Sequence, residues 1–222
     1  MHISQNFDAG NIEVVSCADA GDIQLKIRAD IQSEFYQWFY FRLSGLKATP
    51  CTMHILNAGG AGSPPGFEHY RVCYSSDRQN WLRHPTSLEN GKMTIAFQPE
   101  YDSIYFAYFA PYSMERHADL VAKSQLSPRC SHRVLGKTLD GQDIDLLKFS
   151  SGENEQPKKR CWLIARQHPG ESMAEWWMEG CIERLIDESN PASSKLLSQC
   201  DVYLIPNMNP DGSRRGHLRT NA

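Results

Sequence analysis

The sequence predicts a two-domain α+β protein: an antiparallel β-sandwich followed by an α/β unit. Three observations lead there. The first half holds many short strand-like runs divided by Gly and Pro turns. A continuous apolar run, RCWLIARQ at 160–167, then passes directly into an amphipathic helical pattern. A second apolar run, DVYLIPN at 201–207, completes a strand–helix–strand unit, which implies parallel strands. The expected division is 1–124 for the sandwich and 131–222 for the α/β part.

Taken in order, IQLKIRA at 23–29 alternates apolar and polar residues, the mark of a half-buried strand. FYQWFYFRL at 35–43 is aromatic-rich and suits a pleated surface. CTMHILNAGG, YRVCYSSD, GKMTIAFQ and SIYFAYFAPY follow at short spacing. Asn57-Ala58-Gly59-Gly60, Ser63-Pro64-Pro65-Gly66 and Glu89-Asn90-Gly91 supply the breaks. SMERHADLVA at 113–122 reads as a short helix, bounded by Ser127-Pro128. VLGKTLDGQDIDLLKFS at 134–150 reads as a hairpin turning at Asp140-Gly141. Residues 150–159 form a polar loop, and 160–167 a fully buried strand. In ESMAEWWMEGCIERLIDES the apolar positions 173, 174, 177, 178, 181, 182, 185 and 186 make a helical stripe, ended by Asn190-Pro191. Trp176 and Trp177 are adjacent and cannot both face the same way, so one faces the core and the other lines a groove. A short helix near Ser193–Ser198 precedes the last strand.

Composition narrows the functions. The 222 residues are 41% hydrophobic and 22% charged, as in ordinary globular chains. Lys plus Arg number 23 against 26 Asp plus Glu, a net charge of -3, so no nucleic-acid partner is expected. No apolar run approaches the roughly 18 residues of a spanning helix, so no membrane partner is expected. MHISQNFDAG has no basic-then-apolar leader, which suggests a cytoplasmic protein. The seven cysteines are odd in number and form no CxxC pair; they read as buried free thiols in a reducing compartment.

The chemistry concentrates at His168-Pro169-Gly170-Glu171, where the first buried strand meets its helix. Ligands in open α/β sheets collect at the carboxyl ends of strands. Pro169 and Gly170 allow a tight turn, across which an imidazole nitrogen and a carboxylate oxygen converge. Zinc takes both donor types, at about 2.0–2.2 Å. The bland reading is a surface His beside a Glu that complements a helix N-terminus. Asn209-Pro210-Asp211-Gly212 stands at a second carboxyl edge, where a plain type I turn is the bland reading.

The hairpin, the buried strand, HPGE and then NPDG, in this order, resemble the opening of a zinc metallocarboxypeptidase domain. The HPGE form, with YFRLSGLK, HILNAG, YRVCYSSDRQNW and SIYFAYFAPYSMERH upstream, is similar to the cytosolic carboxypeptidase subfamily. The resemblance covers nearly the whole chain. It implies a β-sandwich, then part of an α/β/α metallocarboxypeptidase domain. It also implies a Zn2+ cofactor held by His168 and Glu171 as the first two ligands. The substrate it implies is a peptide or protein C-terminus, with acidic residues such as glutamate removed. The family places a carbonyl-polarising arginine shortly after NPDG. Arg219 matches it best, ahead of Arg214 and Arg215.

The family's third ligand (a His), its Asn-Arg pair for the substrate carboxylate and its general-base Glu find no matching position. His217, His117 and His132 are the candidate substitutes for the third ligand, and none matches a strand end. The expectation is therefore a piece of a longer hydrolase that binds zinc weakly alone and leaves an apolar sheet edge open. Two other readings stay open: a zinc deacylase or amidase on the same fold, and a non-catalytic binding module. His54, His69 and His84 are read as non-ligands, and Arg28, Arg71 and Arg78 as loop holders or carboxylate binders.

Overall fold

A computed structural model describes residues 1–151 and 157–221; of the polar loop expected at 150–159, residues 152–156 lie outside them. The first ten strands are β1 (His2–Ser4), β2 (Glu13–Ser16), β3 (Ile23–Lys26), β4 (Tyr40–Ser44), β5 (Cys51–Ile55), β6 (Arg71–Ser75), β7 (Leu82–Pro85), β8 (Ser87–Glu89), β9 (Lys92–Phe97) and β10 (Ser103–Ala107). They form two five-stranded sheets, ordered β1-β4-β10-β6-β7 and β2-β3-β5-β9-β8. Alternation explains the layering. Ile23 and Leu25 of β3, Met53 and Ile55 of β5, and Met93 and Ile95 of β9 are buried, while the residues between them are not. These side chains share one core with Tyr40, Phe41, Ile104 and Phe106 of the facing sheet. The Phe41 and Phe106 rings stack at 5.5 Å. Each such buried side chain contributes about 1.5–3 kcal/mol of transfer free energy.

Two details depart from the sequence reading. β3 and β5 pair in parallel, so the second sheet is mixed. In FYQWFYFRL the strand begins only at Tyr40. Upstream, Trp38 donates its indole N–H to the Ala9 carbonyl, and Gln37 bonds Ser63 and the Tyr108 hydroxyl. Those side-chain ties hold 37–38 across the sandwich in place of a ladder.

The remaining elements are α1 (Met114–Ser124), β11 (Cys130–Lys137), β12 (Asp143–Phe149), β13 (Lys159–Ile164), α2 (Met173–Ile186), α3 (Pro191–Gln199), β14 (Cys200–Ile205) and α4 (Pro210–Arg215). Their sheet runs β11-β12-β14-β13. β13 and β14 are parallel, from Lys159↔Cys200 to Ile164↔Ile205, and α2 and α3 make the crossover. A second core gathers Leu147, Phe149, Val202 and Leu204 against Met178, Ile182 and Leu197. Leu120 and Val121 of α1 belong to this core too.

β13 corrects the expectation of a fully buried strand. It lies at the sheet edge, and Trp162 and Ile164 are 51% and 45% exposed. Only Cys161 and Leu163 turn toward the core; Trp162 stacks instead on Tyr203 at 4.6 Å. The run looked buried because both faces are apolar, while only one is covered. On α2, Trp176 packs edge-on against Tyr112 at 5.1 Å and Trp177 is exposed. All seven cysteines are free; Cys51 and Cys73 are buried and the other five half-buried.

Candidate functional site

The parallel pair delivers two loops to one edge. Ala165 donates to the Ile205 carbonyl and Met208 to the Ala165 carbonyl, so both chains leave the sheet side by side. The HPGE loop follows one strand and NPDG the other. Asn209 caps α4: its side-chain oxygen accepts from Gly212 N–H at 3.0 Å, with Pro210 in the first turn. NPDG is thus a helix start and not the plain type I turn of the bland reading; Asn followed by Pro is the sequence signal for it. Asp211 is buried and binds the hairpin tip, accepting from Thr138 Oγ1 at 2.6 Å and Asp140 N–H at 3.1 Å.

Gly212 is where the loops touch. A Cβ there would stand 2.3 Å from the Thr220 carbonyl oxygen and 2.5 Å from Pro169 Cγ. Gly170 is less crowded, a Cβ there standing 3.0 Å from Leu218 Cδ1, and its N–H donates to the Leu218 carbonyl at 2.9 Å. These contacts draw residues 218–220 against HPGE.

The three sequence-derived candidates therefore meet. His168 Nδ1 lies 3.1 Å from Glu171 Oε1. Arg219 Nη2 donates to His168 Nε2 at 3.1 Å. A guanidinium has no lone pair, so Nε2 accepts and Nδ1 carries the proton facing Glu171. His168 and Glu171 are 38% and 50% exposed, open to an incoming ligand. Arg214 and Arg215 do not join them; Arg215 pairs with Asp140 at 2.6 Å.

The donor set fits two positions of a zinc site. Ligand atoms sharing a tetrahedral ion at about 2.0–2.2 Å stand about 3.4 Å apart, and the Nδ1 and Oε1 atoms at 3.1 Å need little adjustment. Among the described residues no group of three or more His, Cys, Asp or Glu is placed to hold a metal. The substitute ligands weighed from sequence are committed elsewhere. His217 accepts from Ile31 N–H at 3.3 Å and lies 3.0 Å from the Thr220 carbonyl, a clasp on the backbone. His117 lies between Glu175 and Asp145, and His132 on Asp145.

Residues 3–109 match the family model described as cytosolic carboxypeptidase N-terminal domain, and residues 116–221 match that of zinc carboxypeptidase. Residues 116–221 belong to the zinc carboxypeptidase family. It is similar to a metallo-carboxypeptidase of Burkholderia cenocepacia, with 47% identity and a TM-score of 0.97, covering 100% of this chain and 60% of that one. The metallo-carboxypeptidase of Pseudomonas aeruginosa, in complex with (2-guanidinoethylmercapto)succinic acid, is 40% identical with a TM-score of 0.96 over 100% of this chain and 59% of that one. An uncharacterized protein of Zymomonas mobilis is 47% identical over 100% of this chain. This chain spans 57% of that relative's length.

A buried ionic chain behind HPGE escaped the sequence reading. Arg166 is 1% exposed and takes a left-handed backbone, φ 49°. That conformation costs a bulky residue about 1–2 kcal/mol, and three side-chain bonds hold it: Nη1 to the Tyr112 carbonyl and to Glu175 Oε2, each at 2.7 Å, and Nε to the Pro169 carbonyl at 3.1 Å. Glu175 is fully buried on the inner face of α2 and also accepts from Asn207 Nδ2 at 3.2 Å. His117 Nδ1 lies 2.7 Å from Glu175 Oε1 and its Nε2 3.1 Å from Asp145 Oδ2. Burial alone would lower the His117 pKa; the bonds to Asp145 and Glu175, and their charges, outweigh it and raise it to about 9. The hydrogen bond from His117 leads the causes that hold Asp145 below its ordinary value. The charges alternate from Arg166 to Asp145, and the arginine end fixes the Pro169 carbonyl of the HPGE loop.

No helix among the described residues is long and apolar enough to cross a membrane.

Proposed function

We propose that this chain carries the first two zinc ligands and the carbonyl-polarising arginine of a carboxypeptidase, as part of a longer hydrolase. The convergence of His168, Glu171 and Arg219 within 3.1 Å contacts at the strand ends supports this reading best. His168 Nδ1 and Glu171 would hold the ion, with the single ring proton of His168 moving from Nδ1 to Nε2. Bound zinc would supply Lewis acidity and a hydrolytic water of lowered pKa. Arg219 would then turn from His168 Nε2 to donate to the scissile carbonyl oxygen, stabilising negative charge as it develops there. Losing one such donor typically costs about 10²–10³ in kcat.

The substrate in this proposal is the C-terminus of a peptide or protein, with acidic residues such as glutamate released. Neither a nucleic-acid nor a membrane partner is included, and the location is cytoplasmic. The division of the chain at 1–124 and 131–222 also stays a proposal; the packing of α1 on the second core favours moving it ahead of Ser113. The test is zinc-dependent release of C-terminal glutamate by the complete protein. Release abolished by chelation and restored by zinc supports the proposal. No release from any C-terminal residue by the zinc-loaded protein contradicts it.

A further inference from the structure

We infer that Asp30, in the sandwich, is a positioning residue for Arg219, so that the first unit builds part of the catalytic edge. This rests on the reading of Arg219 given above. Asp30 is 3% exposed. Its carboxylate accepts from the Leu218 N–H at 2.6 Å, the Arg219 N–H at 2.8 Å, the Thr220 N–H at 2.8 Å and the Thr220 hydroxyl at 3.2 Å. Three consecutive backbone N–H groups thus close on one anion. Among the described residues no Lys, Arg or His forms an ion pair with it. Three backbone N–H groups and the Thr220 hydroxyl satisfy this buried carboxylate, so the grip depends on a side chain that accepts at both oxygens. An amide in its place would turn an NH2 group toward some of those N–H donors.

The same stretch is held from the other side. The Gly170 N–H, inside HPGE, donates to the Leu218 carbonyl at 2.9 Å. Residues 218–220 are therefore pinned between the sandwich and the ligand loop, and the Arg219 guanidinium is delivered to His168. Neighbouring contacts act in the same sense. Asn11 Nδ2 donates to the Gly216 carbonyl at 2.9 Å, Ala9 N–H donates to the Arg214 carbonyl at 2.9 Å, and the Phe35 ring lies 5.9 Å from the Arg219 guanidinium. Every one of these partners comes from the sandwich.

The test compares Asp30→Asn, Thr220→Val, Arg219→Ala and the Asp30→Asn/Arg219→Ala double variant of the complete protein. Amide exchange at 218–220 needs no activity. Asp30→Asn should speed it at least about tenfold, and Thr220→Val, which removes only the hydroxyl donor, should speed it less. In the assay, Asp30→Asn should lower kcat by about 10–10²-fold with KM within about twofold, because the misplaced group acts on the transition state. Zinc content should stay at the wild-type value. The double variant should be no slower than Arg219→Ala alone, which a merely structural role for Asp30 would not produce. Losses that multiply in the double variant, or unchanged exchange at 218–220 in both Asp30→Asn and Thr220→Val, overturn the inference. Should Asp30→Asn fail to fold, Thr220→Val and its double with Arg219→Ala decide by the same criteria. Should zinc-loaded wild type release no residue, the reading of the site falls, while the exchange arm still decides whether Asp30 holds Arg219.

Discussion

Replacing His117 with glutamine should erase about 3 kcal/mol of pH-dependent stability. The ring is 4% exposed, between Glu175 at 2.7 Å and Asp145 at 3.1 Å. Its pKa rises from 6.5 to about 9 in the fold. Because the folded value is the higher one, the protonated ring stabilises the fold below about pH 6.5, and that contribution fades as pH climbs through about 9. At ~1.36 kcal/mol per tenfold change in proton affinity, the span is worth about 3 kcal/mol. Urea unfolding of wild type and His117→Gln at about pH 6 and about pH 10 measures it. The stability gap should shrink by about 3 kcal/mol between the two, seen thermally as roughly 6–12 °C. Other groups titrating in this window are common to both proteins and cancel. A gap that stays constant or widens with pH would refute the account of His117 as a buried cation.

Two further outcomes concern the loops. Gly212→Ala forces a methyl against Thr220 and Pro169. It should destabilise by about 1–3 kcal/mol in urea unfolding and weaken zinc binding in calorimetry, since both loops must part. Asn209→Ala removes the cap on Gly212 N–H and the tie from Nδ2 to the Gln167 carbonyl, next to His168. Its expected cost is about 1–2 kcal/mol in the same unfolding assay.

What could be read from sequence was local. HPGE follows an apolar run and opens an amphipathic helix, so its place at a strand end was legible from residues 160–186 alone. The same holds for NPDG after 201–207, and for the hairpin at Asp140-Gly141. Pairing between strands was not legible: nothing in IQLK or CTMHI announces that β3 and β5 run parallel. The helical stripe on α2 was also only partly right. The apolar pattern included Trp177, yet Trp177 is exposed and Glu175 is buried. Arg166, Asn207 and His117 together make that burial tolerable, and they come from three separate elements. Only the fold brings such partners together. The hold on Arg219 is more remote still, since Asp30 lies 189 residues away in the chain. A lone Asp in a loop carries no pattern that would reveal three N–H partners.

The proposed function stands on zinc held by His168 and Glu171 at this edge. Elemental analysis of the purified complete protein, with His168→Ala and Glu171→Gln beside it, tests this most directly. About one zinc per wild-type chain is expected, with a loss of at least about tenfold in zinc affinity in either variant. Wild-type zinc that survives both substitutions unchanged, or a zinc-supplemented wild type that takes up none, would contradict it.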